Sequence, residues 1–156
     1  MDYDKYAKYE KYRPLVESIE LFDDIDFKNC IKIMAMGLQS KIRVGDVIFD
    51  KGEVGHEMYV LLRGRVEIID YSPESEKTLA VLGPGETFGE MALFDQSERS
   101  AKAVAMDDCV LLALDEAKIE RLLTKGVAIR LLLNLAKMLS KRLRDTNLLL
   151  ARAKAH

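Results

Sequence analysis

The chain has 156 residues, of which 49% are hydrophobic, enough for one domain with a real core and an appended helix. Lys and Arg number 24 against 26 Asp and Glu, so the net charge of -2 creates no overall field for nucleic acid or an anionic membrane, and any anion must be held by a local site. No run approaches the ~20 apolar residues of a bilayer span, the charged start is unlike a secretory signal, and Cys30 and Cys109 lack the close spacing of a zinc or redox pair; the expectation is a cytoplasmic protein with buried thiols and no membrane partner.

In chain order, residues 1–13 form a Tyr/Lys-rich segment. Tyr3, Tyr6, Tyr9 and Tyr12 recur every three residues, a stripe that drifts around a helix rather than lining one face, which reads as a loosely docked terminus or a partner-binding element. Pro14 fits a helix first turn, and Leu15, Ile19, Phe22, Ile31 and Ile33 mark one or two short helices leading to Gly37. From about Leu38, glycines punctuate the short runs VIF, MYVLL, VEIID, TLAVL and CVLLAL, each long enough for one strand. Polar turns such as Asp50-Lys51-Gly52-Glu53 and Ser72-Pro73-Glu74-Ser75 separate them. The fold expected is mainly β with flanking helices: an antiparallel β-barrel or jelly roll within residues 14–126.

Asp115 is placed to cap a short helix through Ile119, Leu122 and Leu123, ending near Gly126. A long helix is expected over 127–156. Its residues Leu132, Ala136, Leu139, Leu143, Thr146, Leu150 and Ala153 step by four and three, the seam of a left-handed coiled coil, and a second stripe of Leu131, Leu135, Met138 and Leu149 lies beside it. One surface can pack on the barrel and the other on a second subunit, so a homodimer is expected.

The segment from Gly85 to Ala105, GETFGEMALFDQSERSAKAVA, carries the chemistry. Strand-like Thr87-Phe88 runs into a helical turn from Gly89 to Leu93, whose unpaired N–H groups suit an anion. Gly89 and Ala92 allow close approach to the backbone. Arg99 supplies a permanent charge and a two-pronged donor for phosphate oxygens, while Glu90 offers an acceptor for a sugar hydroxyl and a group that could hold Arg99 in place.

Phe88-Gly89-Glu90-Met91-Ala92-Leu93 followed by Arg99-Ser100-Ala101 resembles the phosphate-binding cassette of cyclic-nucleotide-binding domains. Arg43-Val44-Gly45-Asp46-Val47-Ile48-Phe49 with Gly52, and the stretch from Met58 to Glu67, resemble that family's first barrel turns and central hairpin. The resemblance implies that Arg99 pairs with the equatorial oxygen of a cyclic phosphate and that Glu90 accepts from the ribose 2′-hydroxyl. Backbone N–H groups of Gly89, Glu90 and Ala92, with Ser100, would complete the cradle. The long helix is most similar to that of the catabolite activator branch, where it forms the dimer interface; Thr146 and Asn147 stand where a Thr-Ser pair meets adenine. No helix-turn-helix domain follows the long helix in this sequence.

An enzyme is a poor fit, since a metal-binding cupin needs clustered histidines and only His56, expected to be a buried or turn residue, and terminal His156 exist. The expectation is therefore a non-catalytic sensor without cofactor, binding cAMP in preference to cGMP and signalling to an unidentified protein effector, with no specific DNA binding. The alternatives are a ligand-free adaptor of the same fold and the regulatory fragment of a transcription factor. Ligand entry would fix residues 95–98 through Arg99 and shift a hinge around Thr124-Lys125-Gly126, closing the long helix over the base.

Overall fold

The computed structural model describes residues 6–122 and 125–155. Pro14 stands in the first turn of α1 (Arg13–Ser18), as its fixed φ and missing N–H favour. A 3₁₀ turn, Glu20–Phe22, follows. The side chain of Asp26 then caps α2 (Phe27–Met36) by accepting from the Asn29 amide at 3.0 Å, and Cys30, Ile31 and Ile33 form its buried face.

Eight strands come next: β1 (Leu38–Ile42), β2 (Val47–Phe49), β3 (Glu57–Arg63), β4 (Val66–Ser72), β5 (Ser75–Leu82), β6 (Thr87–Phe88), β7 (Lys102–Ala105) and β8 (Cys109–Asp115). The short helix α3 (Met91–Asp95) interrupts them, and α4 (Glu116–Leu122) and α5 (Lys125–Lys154) close the chain. The strands form two antiparallel four-stranded sheets, β1-β8-β3-β6 and β2-β7-β4-β5, the jelly-roll-like arrangement expected, with the sheets left unclosed. The strand β1, whose sequence LQSKI carries little apolar signal, is added to the edge by its pairing with β8. The cap expected at Asp115 is present: its carboxylate accepts from the Lys118 amide at 2.7 Å.

Side-chain alternation along β3 and β8 divides the core in two. Leu61 and Leu111 point between the sheets, where they meet Phe49, Val66, Leu82, Phe88, Ala103 and Ala105. Met58, Val60, Leu112 and Leu114 point the other way, onto Val16, Ile19, Leu21, Phe22 and Ile33 of the helical layer and onto Leu131, Leu135 and Met138 of α5. Cys30 and Cys109 are buried free thiols, as expected. Tyr6 and Tyr9 pack against the helical core with Lys28 and Lys8 over their rings, so this part of the tyrosine stripe is docked; Tyr3 lies outside the described residues.

The long helix begins at Lys125, two residues earlier than its sequence pattern suggests, and Thr124 of the expected hinge lies outside the described residues. Its inner stripe is shorter than expected. Leu131, Leu135 and Met138 are buried, but Leu149 is exposed, because the helix has passed the end of the barrel by then and every described residue from Leu143 onward faces solvent. Asn134 is the polar residue in the buried stripe. Its side-chain amide donates to the carbonyls of Leu21 at 2.9 Å and Asp23 at 2.7 Å, fastening α5 to the 3₁₀ turn.

Replacing Asn134 with Ala leaves two carbonyls without their donor and is expected to destabilise the fold by about 1–3 kcal/mol in urea unfolding, where a substitution at an exposed position would change it by about a few tenths.

Candidate functional site

The site is built around one guanidinium. Arg99 follows the loop after α3 and is 7% exposed. Its backbone is fixed on both sides, its N–H donating to the Glu53 carbonyl at 2.7 Å and its carbonyl accepting from the Gly52 amide at 2.8 Å. The side chain then crosses inward, where Nη1 donates to the Gly89 carbonyl and Nη2 to the Glu57 carbonyl, both at 2.9 Å. The guanidinium carbon stands 4.3 Å from the centre of the Phe49 ring and 5.7 Å from that of Tyr59, and these two rings stack with each other and Tyr59 with Phe88.

Two glycines make this placement possible. A Cβ on Gly55 would come within 2.3 Å of the Arg99 guanidinium carbon, and Gly89, at φ +75°, would bring one within 2.7 Å of Nη1. The Tyr59 hydroxyl donates to Glu57 Oε2 at 3.2 Å, and burial, reinforced by the Glu57 charge, pushes it above the usual phenol range. Among the described residues Arg99 makes no ion pair with a carboxylate. A buried guanidinium partnered only by neutral carbonyls and rings keeps most of its positive field for whatever enters beside it.

Glu90 is equally buried, but it does not hold Arg99. Arg142 of α5 donates through Nη1 to Glu90 Oε1 and through Nη2 to the Thr87 carbonyl, so Glu90 is tied to the long helix instead. The correction has a geometric reason: Arg99 turns toward the Gly89 and Glu57 carbonyls, which take one N–H of each terminal nitrogen, while Glu90 turns toward α5.

These groups surround a cavity of about 340 Å³, within the size range of small-ligand pockets. Gly89, Glu90, Met91, Ala92, Arg99, Ser100, Ala101 and Thr146, all singled out from sequence, line it together. Ile68 and Leu82 supply an apolar wall opposite. Asn147 is exposed and outside the lining, since one residue along a helix turns it by 100° from Thr146. His56 is exposed in the irregular stretch just before β3, which removes the buried alternative. The residues that sequence reasoning missed are Gly55, Phe49, Tyr59 and Arg142; only Arg142 carried a signal, standing one helical turn before Thr146 and so on the same side. The arrangement suits a compact anion carrying an apolar, ring-like portion.

Comparison with known proteins agrees with this geometry. The description "Cyclic nucleotide-binding domain" attaches to the family profile that matches residues 39–125. The Cyclic AMP receptor protein of Thermus thermophilus is 42% identical over 105 residues, 67% of this chain and 48% of that protein. A cAMP-dependent protein kinase regulatory subunit of Yarrowia lipolytica is 30% identical over 120 residues, 75% of this chain and 31% of the relative. The crystal structure of Thermus thermophilus Catabolite Activator Protein superposes with a TM-score of 0.76 at 36% identity, covering 85% of this chain and 62% of that one. This chain therefore spans about half or less of the length of these curated relatives.

The tie between Glu90 and Arg142 is expected to give a coupling of about 1 kcal/mol in a double-mutant cycle of Glu90→Gln and Arg142→Met read by urea unfolding, reduced from a buried-pair value because Arg142 is partly solvated.

Proposed function

The chain belongs to the cyclic nucleotide-binding domain family, and from that premise we propose that it is a sensor that binds cAMP in preference to cGMP and passes the signal through α5 to an effector protein. The single observation that carries this reading is the buried, carboxylate-free Arg99 guanidinium at the wall of the cavity. A cyclic phosphate diester carries one full negative charge and two exocyclic oxygens. It supplies the missing counter-charge and accepts from the guanidinium, a charge-assisted bond about twice as strong as a neutral one.

Glu90 accepts from the ribose 2′-hydroxyl in this reading. The same carboxylate receives Arg142, so ligand and long helix meet on one group. An occupied pocket then favours the arrangement in which α5 is held against the cassette, and the helix position reports occupancy by the difference in affinity between the two arrangements. Thr146 lies on the lining where the base is expected; its hydroxyl now donates to the Arg142 carbonyl at 2.8 Å and can turn to a purine edge. Thr146 gives an adenine amino group an acceptor, and the preference for cAMP rests on it; Ser100, directly after Arg99, is the position that would serve a guanine amino group. No catalytic step is assigned to the site.

The output is proposed to run through a second copy. Leu132, Leu143 and Leu150 of the coiled-coil seam are exposed in one chain, and a parallel partner helix would cover them. In sedimentation velocity, Leu143→Glu with Leu150→Glu is expected to convert a dimer to a monomer.

Isothermal titration with cAMP and cGMP tests the ligand. Micromolar or tighter binding, about −8 kcal/mol or better, is expected for cAMP. Arg99→Ala should lose about 2–5 kcal/mol of it. Gly55→Ala should also weaken binding several-fold with little loss of stability, because the added methyl displaces only the flexible end of Arg99. Unchanged binding by Arg99→Ala overturns the site assignment, and silence with both nucleotides favours the adaptor reading.

A further inference from the structure

The long helix has a third face that neither the pocket nor the seam uses. At 100° per residue, the buried stripe of Leu131, Leu135 and Met138 and the seam around Leu139 and Leu143 occupy adjoining sides of α5. Opposite the seam run Arg130, Lys137, Lys141, Arg144 and Arg152, all within an arc of about 80° and over a length of about 33 Å. The last four are exposed and make no ion pair among the described residues; Arg130 reaches Asp24 only at 4.0 Å. Two exposed leucines accompany the row, Leu148 within it and Leu133 at its edge.

A helix face that is merely solvated mixes the two signs, because Glu–Lys pairs one turn apart stabilise it and like charges at that spacing oppose it. Here Lys137, Lys141 and Arg144 stack one turn apart, and α5 holds eight basic residues against Asp145 alone, while the remainder of the chain holds 16 basic against 25 acidic. The helix dipole accounts only for Arg152 and Lys154 in the last turn. The uncompensated row in the middle of the helix therefore lacks an internal reason.

We infer that this face docks an acidic, amphipathic helix of a partner polypeptide, whose carboxylates meet the five cations and whose apolar residues meet Leu133 and Leu148. Charge complementarity sets the partner's sign, and the two leucines that accompany the row set its class: a phosphate backbone has nothing to place against them, whereas a helix with an apolar residue between its acidic turns does. The face is turned away from the seam, so it stays open when the seam is covered, and it owes nothing to the identity of the nucleotide.

The probe is a synthetic helical peptide with Glu at three- and four-residue spacing and Leu in the intervening turns, labelled for fluorescence anisotropy against the full chain. Binding in the micromolar range is expected, weakening as salt rises. Lys137→Glu with Lys141→Glu and Arg144→Glu should reduce it at least about tenfold, and Leu133→Ser with Leu148→Ser should reduce it without altering the salt dependence. Nucleotide titration of both variants is expected to match wild type, so failure here and failure of the nucleotide reading are distinguishable. Three results overturn the inference: equal peptide binding by the charge-reversed variant, tighter binding of a mixed-sequence DNA duplex than of the peptide, and a change of oligomeric state on charge reversal, which would make the row a self-contact.

Discussion

A guanidinium buried without a carboxylate is an expensive arrangement, and the site depends on it. Solvation lost by Arg99 is replaced by two carbonyls at 2.9 Å and the face of Phe49, groups that orient the charge without neutralising it. The barrel provides what this requires. The loop at Gly52 and Glu53 fixes the Arg99 backbone, the turn at Gly55 leaves room for its head, and the end of β6 turns the Gly89 carbonyl toward it. Two stretches of chain, residues 49–57 and the end of β6, thus converge on one cation, which they orient without supplying a counter-charge.

Where the buried stripe of α5 ends decides how the long helix meets this site. Leu131, Asn134, Leu135 and Met138 dock the first half of α5 on the helical layer, with Asn134 locking it to the chain at Leu21 and Asp23. One turn later Arg142 reaches Glu90 and Thr87, and Thr146, a turn further on, still lines the cavity, although every described residue from Leu143 onward is exposed. The helix is thus anchored at one end and touches the pocket at its middle, and its distal half carries the exposed apolar seam on one side and the basic row on the other.

Much of this was legible in the sequence where neighbours in the fold are also neighbours in the chain. The strands VIF, MYVLL, VEIID, TLAVL and CVLLAL, the cap at Asp115 and Pro14 in a first turn all follow from local pattern and local chemistry. So does the cassette, because Gly89 through Ala101 is one continuous segment whose residues reach the pocket together. The strand β1 escaped notice because an edge strand needs little apolar content once β8 supplies its hydrogen bonds.

What sequence determined, then, is the jelly-roll-like class, the two apolar stripes of α5 and the segment that lines the cavity, since each is set by periodicity or by contiguous residues. Tertiary structure decided the partners. Glu90 binds Arg142, 52 residues away, rather than nearby Arg99, and Arg99 rests on a carbonyl 42 residues before it and on the ring of Phe49. It also decided that Leu149 stays exposed, because the helix outruns the barrel. Spacing along a chain fixes which side of an element a residue occupies, but the packing of elements distant in sequence fixes what waits on that side.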